Sequence, residues 1–546
     1  MPRLTELLAY GQGGLTVTVL AALLVLSRGV LPNLPRWAIR AAVVCAALPV
    51  LAEVLLSTWY LFSPTYIDHI EASVASITQY FLQGIPVYPD PGSYTFHGLL
   101  YGPLLPELNS LGYLVGGGVV GSKLVGWAAA WLATILMALT TPRTERNWAW
   151  AASLVASCCV LASFGSILTA DRADSLLLLF AALALWAVIR LRPFSGLVLA
   201  ALLAGLAADL KLHGSAYIAP ALGLWAARHL DPRPRARLAT AFIAAGAVAA
   251  GLIIPFIPAN ISVADYLGYI RLGAKHGLSL ELFAWNSVFL LSLWIPALLV
   301  LHALRKERTP VPRHVVIFAA LLLAAEIAVI VVASKPGAGA HHLLPFLGFH
   351  SFLLQRMLVA AADRQGDAVS WRELPAARAA LTGLAAVLVG TAYPAAARLS
   401  VLLKFDLQGS SQRAQLEELT RLADRYPHGM MGLAGRESYA LTLFRPWITL
   451  KGTLQTDYGA WMDWNLSGAS DAPLASALGA CEIPYLYVPT GGEPFTMDSN
   501  YGTGPLFSDA VRESFAHGYS LIHPGQYFDV YGCSVAPTGS ITRASQ

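Results

Sequence analysis

Residues 63–107 read SPTYIDHIEASVASITQYFLQGIPVYPDPGSYTFHGLLYGPLLPE, directly after an apolar run ending near Leu61. Asp68 and Glu71 stand three residues apart at the start of an amphipathic run. That spacing puts both carboxylates on one helix face. The run stops at Gly84, and Pro86, Pro89, Pro91 and Gly92 then supply turns. Tyr101-Gly102-Pro103-Leu104 leads the chain back towards apolar sequence. A connection this long that carries its own helix is usually functional. The plainer alternative is a helix lying on a membrane surface with solvated carboxylates.

The sequence around this stretch is that of a membrane protein. Of 546 residues, 56% are hydrophobic and 12% charged, against about 25% charged in soluble chains. Apolar runs recur at 15–31, 41–62, 119–140, 148–168, 176–189, 196–208, 216–227, 238–258, 288–304, 315–333, 343–361 and 380–397. These predict a polytopic α-helical protein with about twelve transmembrane helices. Arg and Lys gather in alternate links: Arg36/Arg40, Arg143/Arg146, Arg190/Arg192, Arg228 to Arg237, Arg305 to Arg313, and Arg364/Arg372. The positive-inside rule puts those links in the cytoplasm. The links at 63–118, 169–174, 209–213, 260–286 and 334–342, and everything after 399, then face outward. The net charge of +4 is spread over these links and gives no reason to expect nucleic acid as a partner.

Two domains are expected: a membrane-embedded catalytic part over 1–400, with 63–118 as its first large outer loop, and a soluble α/β domain over 401–546. In the latter, Ser410-Ser411 open a helix that Pro427 stops, and 440–444, 447–450 and 485–488 read as short strands. Among five cysteines, Cys45, Cys158 and Cys159 lie in apolar runs. Cys481 and Cys533 lie in the polar C-terminal part, where an oxidising compartment would allow them to pair. No cysteine pair has the spacing of a metal site.

Charges close to a membrane are costly and therefore point to function. Asp171-Arg172-Ala-Asp174 is the densest group, and its bland reading is a helix cap. Asp209, Lys211 and His213 sit between two short apolar runs, where a solvated turn is the alternative. Lys335-Pro-Gly-Ala-Gly-Ala-His341-His342 is Gly-rich and opens the next apolar run, a pattern suited to phosphate. A divalent cation (Mg²⁺ or Mn²⁺) held by carboxylates and a phosphate is a further expectation. Zinc on His341, His342, Asp68 and Asp171 is disfavoured, because adjacent histidines rarely bind one ion. No nucleophile elbow, phosphate-binding P-loop or dinucleotide fingerprint is present.

Taken in order, these motifs resemble the GT-C superfamily of integral-membrane glycosyltransferases, which includes protein O-mannosyltransferases and the lipid A aminoarabinose transferase. The resemblance rests on Asp68-His-Ile-Glu71, Gly84-Ile-Pro86-Val-Tyr88, Tyr101-Gly102-Pro103-Leu104, Asp171-Arg172-Ala-Asp174, Leu210-Lys211-Leu-His213-Gly214 and Lys335 to Pro345. It spans about the first 400 residues. It departs from the family in an extra span before the loop and in Asp-x-x-Glu where adjacent Asp-Glu is common. That spacing leaves open which carboxylate is the base.

The resemblance implies transfer of a sugar from a polyprenyl-phosphate carrier to a glycan, lipid or protein acceptor on the outer face, with inversion. Asp68 would be the general base, with Glu71 as helper or substitute. Arg172, Lys211, Lys335, His341 and His342 would hold the donor phosphate. Asp171, Asp174 and His213 would orient them or bind a metal, and Tyr88 and Tyr101 (with Tyr94) would stack on sugar. The high Ala, Leu and Gly content points to a bacterial plasma membrane. The competing class is a multi-span transporter or flippase, against which stand the missing internal repeat and the large outer parts. A non-catalytic outer-face assembly or binding protein is a further alternative.

Overall fold

The computed structural model describes residues 51, 54–63, 66, 69–88, 92–94, 97, 101–140, 157, 170–365, 375–383, 386, 409–432, 445–449, 458–499 and 504–534. The apolar run at 15–31, all of 148–168 except Ser157, most of 380–397, the strand expected at 440–444, and Asp68 lie outside these residues. Two helices form within the first outer loop: α1 (His69–Leu82) and α2 (Leu104–Gly116). The bundle continues with α3 (Gly118–Thr140), α4 (Ala173–Arg190), α5 (Pro193–Ala208), α6 (Ser215–His229) and α7 (Pro234–Ile253). It is followed by a short α8 (Val263–Gly273), α9 (Leu280–Lys306), α10 (Arg313–Val332) and α11 (Leu347–Gln365). Six helical segments among the described residues are long and apolar enough to cross a membrane, and α5 is a shorter apolar helix. The chain is a polytopic helical membrane protein.

Burial sorts these helices by position. Thirteen of the eighteen residues of α4 are buried, so it runs through the interior of the bundle with its Ala and Leu side chains packed on neighbours. In α7 only Gly251 is buried, which leaves its apolar surface to lipid. Helices α2 and α3 form a tight hairpin at Gly117, whose φ of 61° suits glycine. A Cβ on Gly112 would sit 2.1 Å from the Gly121 carbonyl oxygen, so small residues are what let these two backbones touch. Glu326 on α10 is fully buried and accepts from Trp294 Nε1 on α9 at 2.7 Å and pairs with His350 on α11. That cluster ties three helices together inside the bundle.

Two expectations are corrected here. The helix expected from 288 begins at Leu280, where the Ser279 hydroxyl accepts from Leu282 N at 3.3 Å. Its first two turns mix polar and apolar residues, so hydropathy alone missed them. Residues 447–450 were expected to be strand, but Arg445–Thr449 form a helical turn, α13. Pro446 stands at its start, where a missing N–H costs nothing. Trp447 is drawn against Tyr66, Ala72, Ala75 and Val119. A four-residue apolar run cannot declare its own period, and packing decided it.

The first helix of the described C-terminal residues is α12 (Gly409–Arg425), which starts one residue before Ser410, so the two serines lie within its first turn. Beyond it lie β1 (Met430–Met431), α13, α14 (Tyr458–Leu466), α15 (Ala472–Gly479), β2 (Tyr485–Pro489), α16 (Asp509–Gly518), β3 (Tyr519–His523) and β4 (Phe528–Cys533). The four strands form one sheet in the order β1-β2-β4-β3, with β1 parallel to β2 and the other pairs antiparallel. Leu419 and Leu422 of α12 pack on Tyr487, Phe528 and Val530 of the sheet. Cys481 and Cys533 form a disulfide with Cα atoms 5.9 Å apart, joining the end of α15 to β4.

Contacts between links join the helix ends in groups. Arg364 at the end of α11 donates to the Arg308 carbonyl, so the links after α9 and α11 meet, and Arg190 reaches the Leu139 carbonyl at 2.8 Å, so α3 and α4 end side by side. At the other end Asn260 donates to the Phe81 and Ile85 carbonyls. There the C-terminal part docks on the bundle. His276, after α8, bonds the Asp463 carbonyl on α14 at 2.9 Å. Gln83, just past α1, donates to the Thr449 carbonyl of α13.

Candidate active site

Three inter-helix links of this end converge on one cleft of about 1240 Å³, mouth included. Arg172 comes from the turn before α4, Lys211 and His213 from the turn between α5 and α6, and Lys335 from the turn after α10. His341 and His342 stand in a 3₁₀ turn, Ala340–Phe346, that leads into α11. Tyr266 and Tyr269 of α8 and Tyr101 line the same space, and Asp463 of α14 closes it from the C-terminal part. Residues from six separate links and helices thus meet, and five of the expected phosphate ligands share one cavity.

The cations are held differently. Lys211 Nζ pairs with Asp174 Oδ1 at 2.8 Å, with both side chains buried, and stands 5.4 Å from the centre of the Tyr101 ring. Burial lowers the Lys335 ammonium from its ordinary range, with Asp463 acting in the opposite sense. His213 Nε2 lies 3.1 Å from the Tyr217 hydroxyl and 3.2 Å from His342 Nδ1. Burial, and then Lys211, push the His213 imidazole down to about 3. It is therefore neutral at physiological pH and contributes hydrogen bonds in place of charge.

Behind this cleft lies a second, fully buried network. Residues 71–80 of α1 are all buried, so this helix is packed into the bundle and Glu71 is not a solvated carboxylate on a membrane surface. Glu71 accepts from the Tyr60 hydroxyl at 2.6 Å and from the Asp171 backbone N–H at 3.2 Å. Asn109 of α2 donates to Asp171 Oδ1. Burial, and then the nearby Glu71, push the Asp171 carboxyl well above the usual carboxylate range. Lys123 of α3 is fully buried and donates to the Tyr60 and Ser63 carbonyls at 3.1 and 2.9 Å. Its ammonium stands 3.8 Å from the centre of the Tyr60 ring.

Of the expected site residues, Arg172, Lys211, His213, Lys335, His341, His342 and Tyr101 line the cleft. Asp174 reaches it through Lys211, whereas Glu71 and Asp171 sit in the network behind. Tyr88 is also set back: it is buried, donates to the Tyr101 carbonyl at 2.7 Å and packs on Tyr266 and Tyr269. Asp68 lies outside the described residues, three positions before Glu71. Among the described residues no three His, Cys, Asp or Glu side chains are grouped to hold a metal ion.

Several participants escaped the sequence reading. Lys123 is a charge inside an apolar run, the signal by which the others were found. Tyr266 and Tyr269 had a weaker signal, three residues apart on an amphipathic helix. Asp463 had none, because its place depends on how the C-terminal part docks. Glu107 and Asp209 form a further pair of carboxyls near the Tyr101 turn. Burial lifts Glu107 to about 7, and burial with Glu107 lifts Asp209 to about 7.

The turn carrying Tyr101 is pinned by backbone contacts. Gly102 N donates to the Leu210 carbonyl and Leu104 N to the Asp209 carbonyl, each at 3.1 Å. A Cβ on Gly102 would sit 2.0 Å from the Asp209 oxygen. The glycine of Tyr-Gly-Pro is thus required by close approach, and it locks the loop to the link that carries Lys211.

No family model and no curated protein matches the chain. Among solved structures it is similar to ArnT from Cupriavidus metallidurans bound to undecaprenyl phosphate, at 12% identity and a TM-score of 0.56, over 90% of this chain and 99% of that one. ArnT in the apo state gives 12% identity and a TM-score of 0.52, over 90% and 98%. The chain therefore shares the overall fold of these two ArnT structures.

Proposed function

We propose that this protein is a membrane glycosyltransferase that moves a sugar from a polyprenyl-phosphate carrier to an acceptor at the outer face of a bacterial plasma membrane. The observation that carries the reading is the meeting of Arg172, Lys211 and Lys335 in one cleft with three tyrosines. Fixed cations suit a phosphate leaving group, and tyrosine rings suit a sugar. The fold it shares with a protein that binds undecaprenyl phosphate supports the same donor class. Under this reading the bundle has about twelve spans, and residues 401–546 form an outward-facing domain.

In the reaction, the acceptor hydroxyl loses its proton to a carboxylate, and its oxygen bonds to the anomeric carbon. The bond from that carbon to the phosphate oxygen breaks, and its electron pair leaves with the polyprenyl phosphate. Arg172 and Lys335 offset the charge that develops there, and Lys211 does so while held by Asp174. Asp68 takes the proton. Glu71 already accepts from Tyr60 and Asp171 N, so its part is to fix the start of α1, next to Asp68. Neutral His213 and His342 orient the phosphate by hydrogen bonding.

The test uses protein in lipid nanodiscs with a panel of radiolabelled polyprenyl-phosphate sugars. Wild type is expected to transfer or release sugar from one of them, and Asp68→Asn to do so about 10²–10⁴ times more slowly. Movement of intact donor across the bilayer without sugar release would establish the transporter reading instead.

A further inference from the structure

Lys123 lies near the start of α3 with its side chain fully buried. An ammonium at such a place is costly unless several groups meet it. It donates to the Tyr60 and Ser63 carbonyls, at the end of the helical residues 54–62. A neutral donor could satisfy those carbonyls at lower cost. What only a cation adds is attraction for carboxylates, and the charges that act on Lys123 are Glu71 of α1 and then Asp171 before α4. We infer that Lys123 is a positioning residue, which draws both flanks of the segment carrying Asp68 to one point on α3. Its part in transfer rests on the glycosyltransferase reading above, whereas the clamp rests on the contacts alone.

The clamp closes through Tyr60. The Tyr60 carbonyl accepts from Lys123 at 3.1 Å, and the Tyr60 hydroxyl donates to Glu71 Oε2 at 2.6 Å. Ser122, next to Lys123, holds the middle of the segment. Its hydroxyl donates to the Val119 carbonyl, which leaves it to accept from the Tyr66 hydroxyl 2.8 Å away. On the far flank, Glu71 Oε1 accepts from Asp171 N at 3.2 Å. Asp68 thus stands in sequence between two anchored residues, Tyr66 and Glu71. Tyr60, Tyr66, Glu71 and Lys123 are each no more than 2% exposed. Hydrogen bonds so far from water are stronger than exposed ones, and leaving one partner unmet there is correspondingly costly.

Tyr60, Tyr66, Glu71, Ser122 and Lys123 do not line the candidate active cleft, whose cations come from other links. Loosening the clamp should therefore slow the proton transfer to Asp68 and spare donor binding. A displacement of about 1 Å is enough to cost about 10²-fold in rate.

The experiment uses the full chain in nanodiscs and compares wild type with Lys123→Met, Lys123→Gln and Lys123→Arg. Lys123→Gln keeps a donor for the two carbonyls without the charge, so it decides the matter if Lys123→Met fails to fold. Thr134→Val is the control, since Thr134 donates to the Ala130 carbonyl at 3.0 Å further along the same helix. Amide hydrogen exchange over residues 60–71 is expected to rise about tenfold or more in the Met and Gln variants, and to match wild type in the control. With whichever donor wild type uses, kcat should fall about 10²-fold in those two variants while polyprenyl-phosphate affinity is unchanged. Lys123→Arg, which keeps charge and donors, should recover part of both losses. Exchange over 60–71 unchanged in Lys123→Gln would overturn the inference. So would wild-type kcat in a variant whose 60–71 segment has loosened, or loosening of the whole bundle with donor affinity lost, which would mark a merely structural charge. Local loosening in a protein whose wild type transfers no sugar would support the clamp while removing the glycosyltransferase reading.

Discussion

Lys211 and Asp174 meet at 2.8 Å across the ends of two helix links, with side chains 4% and 0% exposed. The pair fixes a cation at the cleft wall, and it also fixes the turn between α5 and α6 against the start of α4. Removing one partner strands the other charge in a buried site. Lys211→Met should therefore destabilise the protein by about 3–5 kcal/mol. Lys211→Met combined with Asp174→Leu should recover most of that loss without recovering donor binding. Thermal unfolding in nanodiscs measures the first and titration with polyprenyl phosphate the second. Recovery of both would remove Lys211 from the donor site.

Arg172 lines the same cleft from the turn before α4. Arg172→Gln should weaken polyprenyl-phosphate binding by about ten- to a hundredfold, since a hydrogen bond to a charged group contributes roughly 1.5–3 kcal/mol. Isothermal titration with polyprenyl phosphate checks it. An unchanged affinity would place the phosphate elsewhere.

Glu107 and Asp209 make stability depend on pH. Both are lifted to about 7 in the folded protein, above the ordinary carboxyl value of about 4. The folded state thus keeps protons that the unfolded chain releases between about pH 4 and pH 7. The contribution is favourable at low pH and is lost as pH rises through about 7. Asp209→Asn cannot ionise and should melt higher than wild type at about pH 8, with little difference near pH 4. A melting difference of the opposite sign at high pH would contradict the environment described.

Gly102 lies against the Asp209 carbonyl, and an added Cβ would be 2.0 Å from that oxygen. Gly102→Ala must push the Tyr101 turn away from the Lys211 link. The expected loss is about 1–3 kcal/mol, as for other overpacked sites, with donor affinity falling in parallel. Retention of wild-type melting and donor affinity would show that the contact is dispensable.

The Cys481–Cys533 disulfide closes a loop of 52 residues in sequence. Its removal by Cys481→Ser with Cys533→Ser should lower the stability of the C-terminal part by about 2–4 kcal/mol. Limited proteolysis of that part, with and without reductant, reads the effect.

Much of the candidate site could be read from the chain because membranes penalise charge. Arg172, Lys211 and Lys335 stood out against apolar surroundings, and the cleft gathers all three. Lys123 carried the same signal inside the run 119–140, but a single charge there did not interrupt the hydropathy that defined the span. Tyr88 carried no signal that its ring would turn inward against Tyr266 and Tyr269. A sugar-facing tyrosine and a packed one have the same sequence pattern.

The sequence by itself determined that the chain is a helical membrane protein, which links are basic, and which polar residues share the opposite end. Those properties follow from transfer free energies that each residue carries wherever it sits. Only the tertiary structure decided which of those polar residues face a common space and which pair behind it. It also decided that Arg445–Thr449 would coil, that Glu71 would be buried, and that Asp463 would reach the cleft from the far end of the chain. Each of these depends on close packing between segments distant in sequence, and neither hydropathy nor periodicity encodes such contacts.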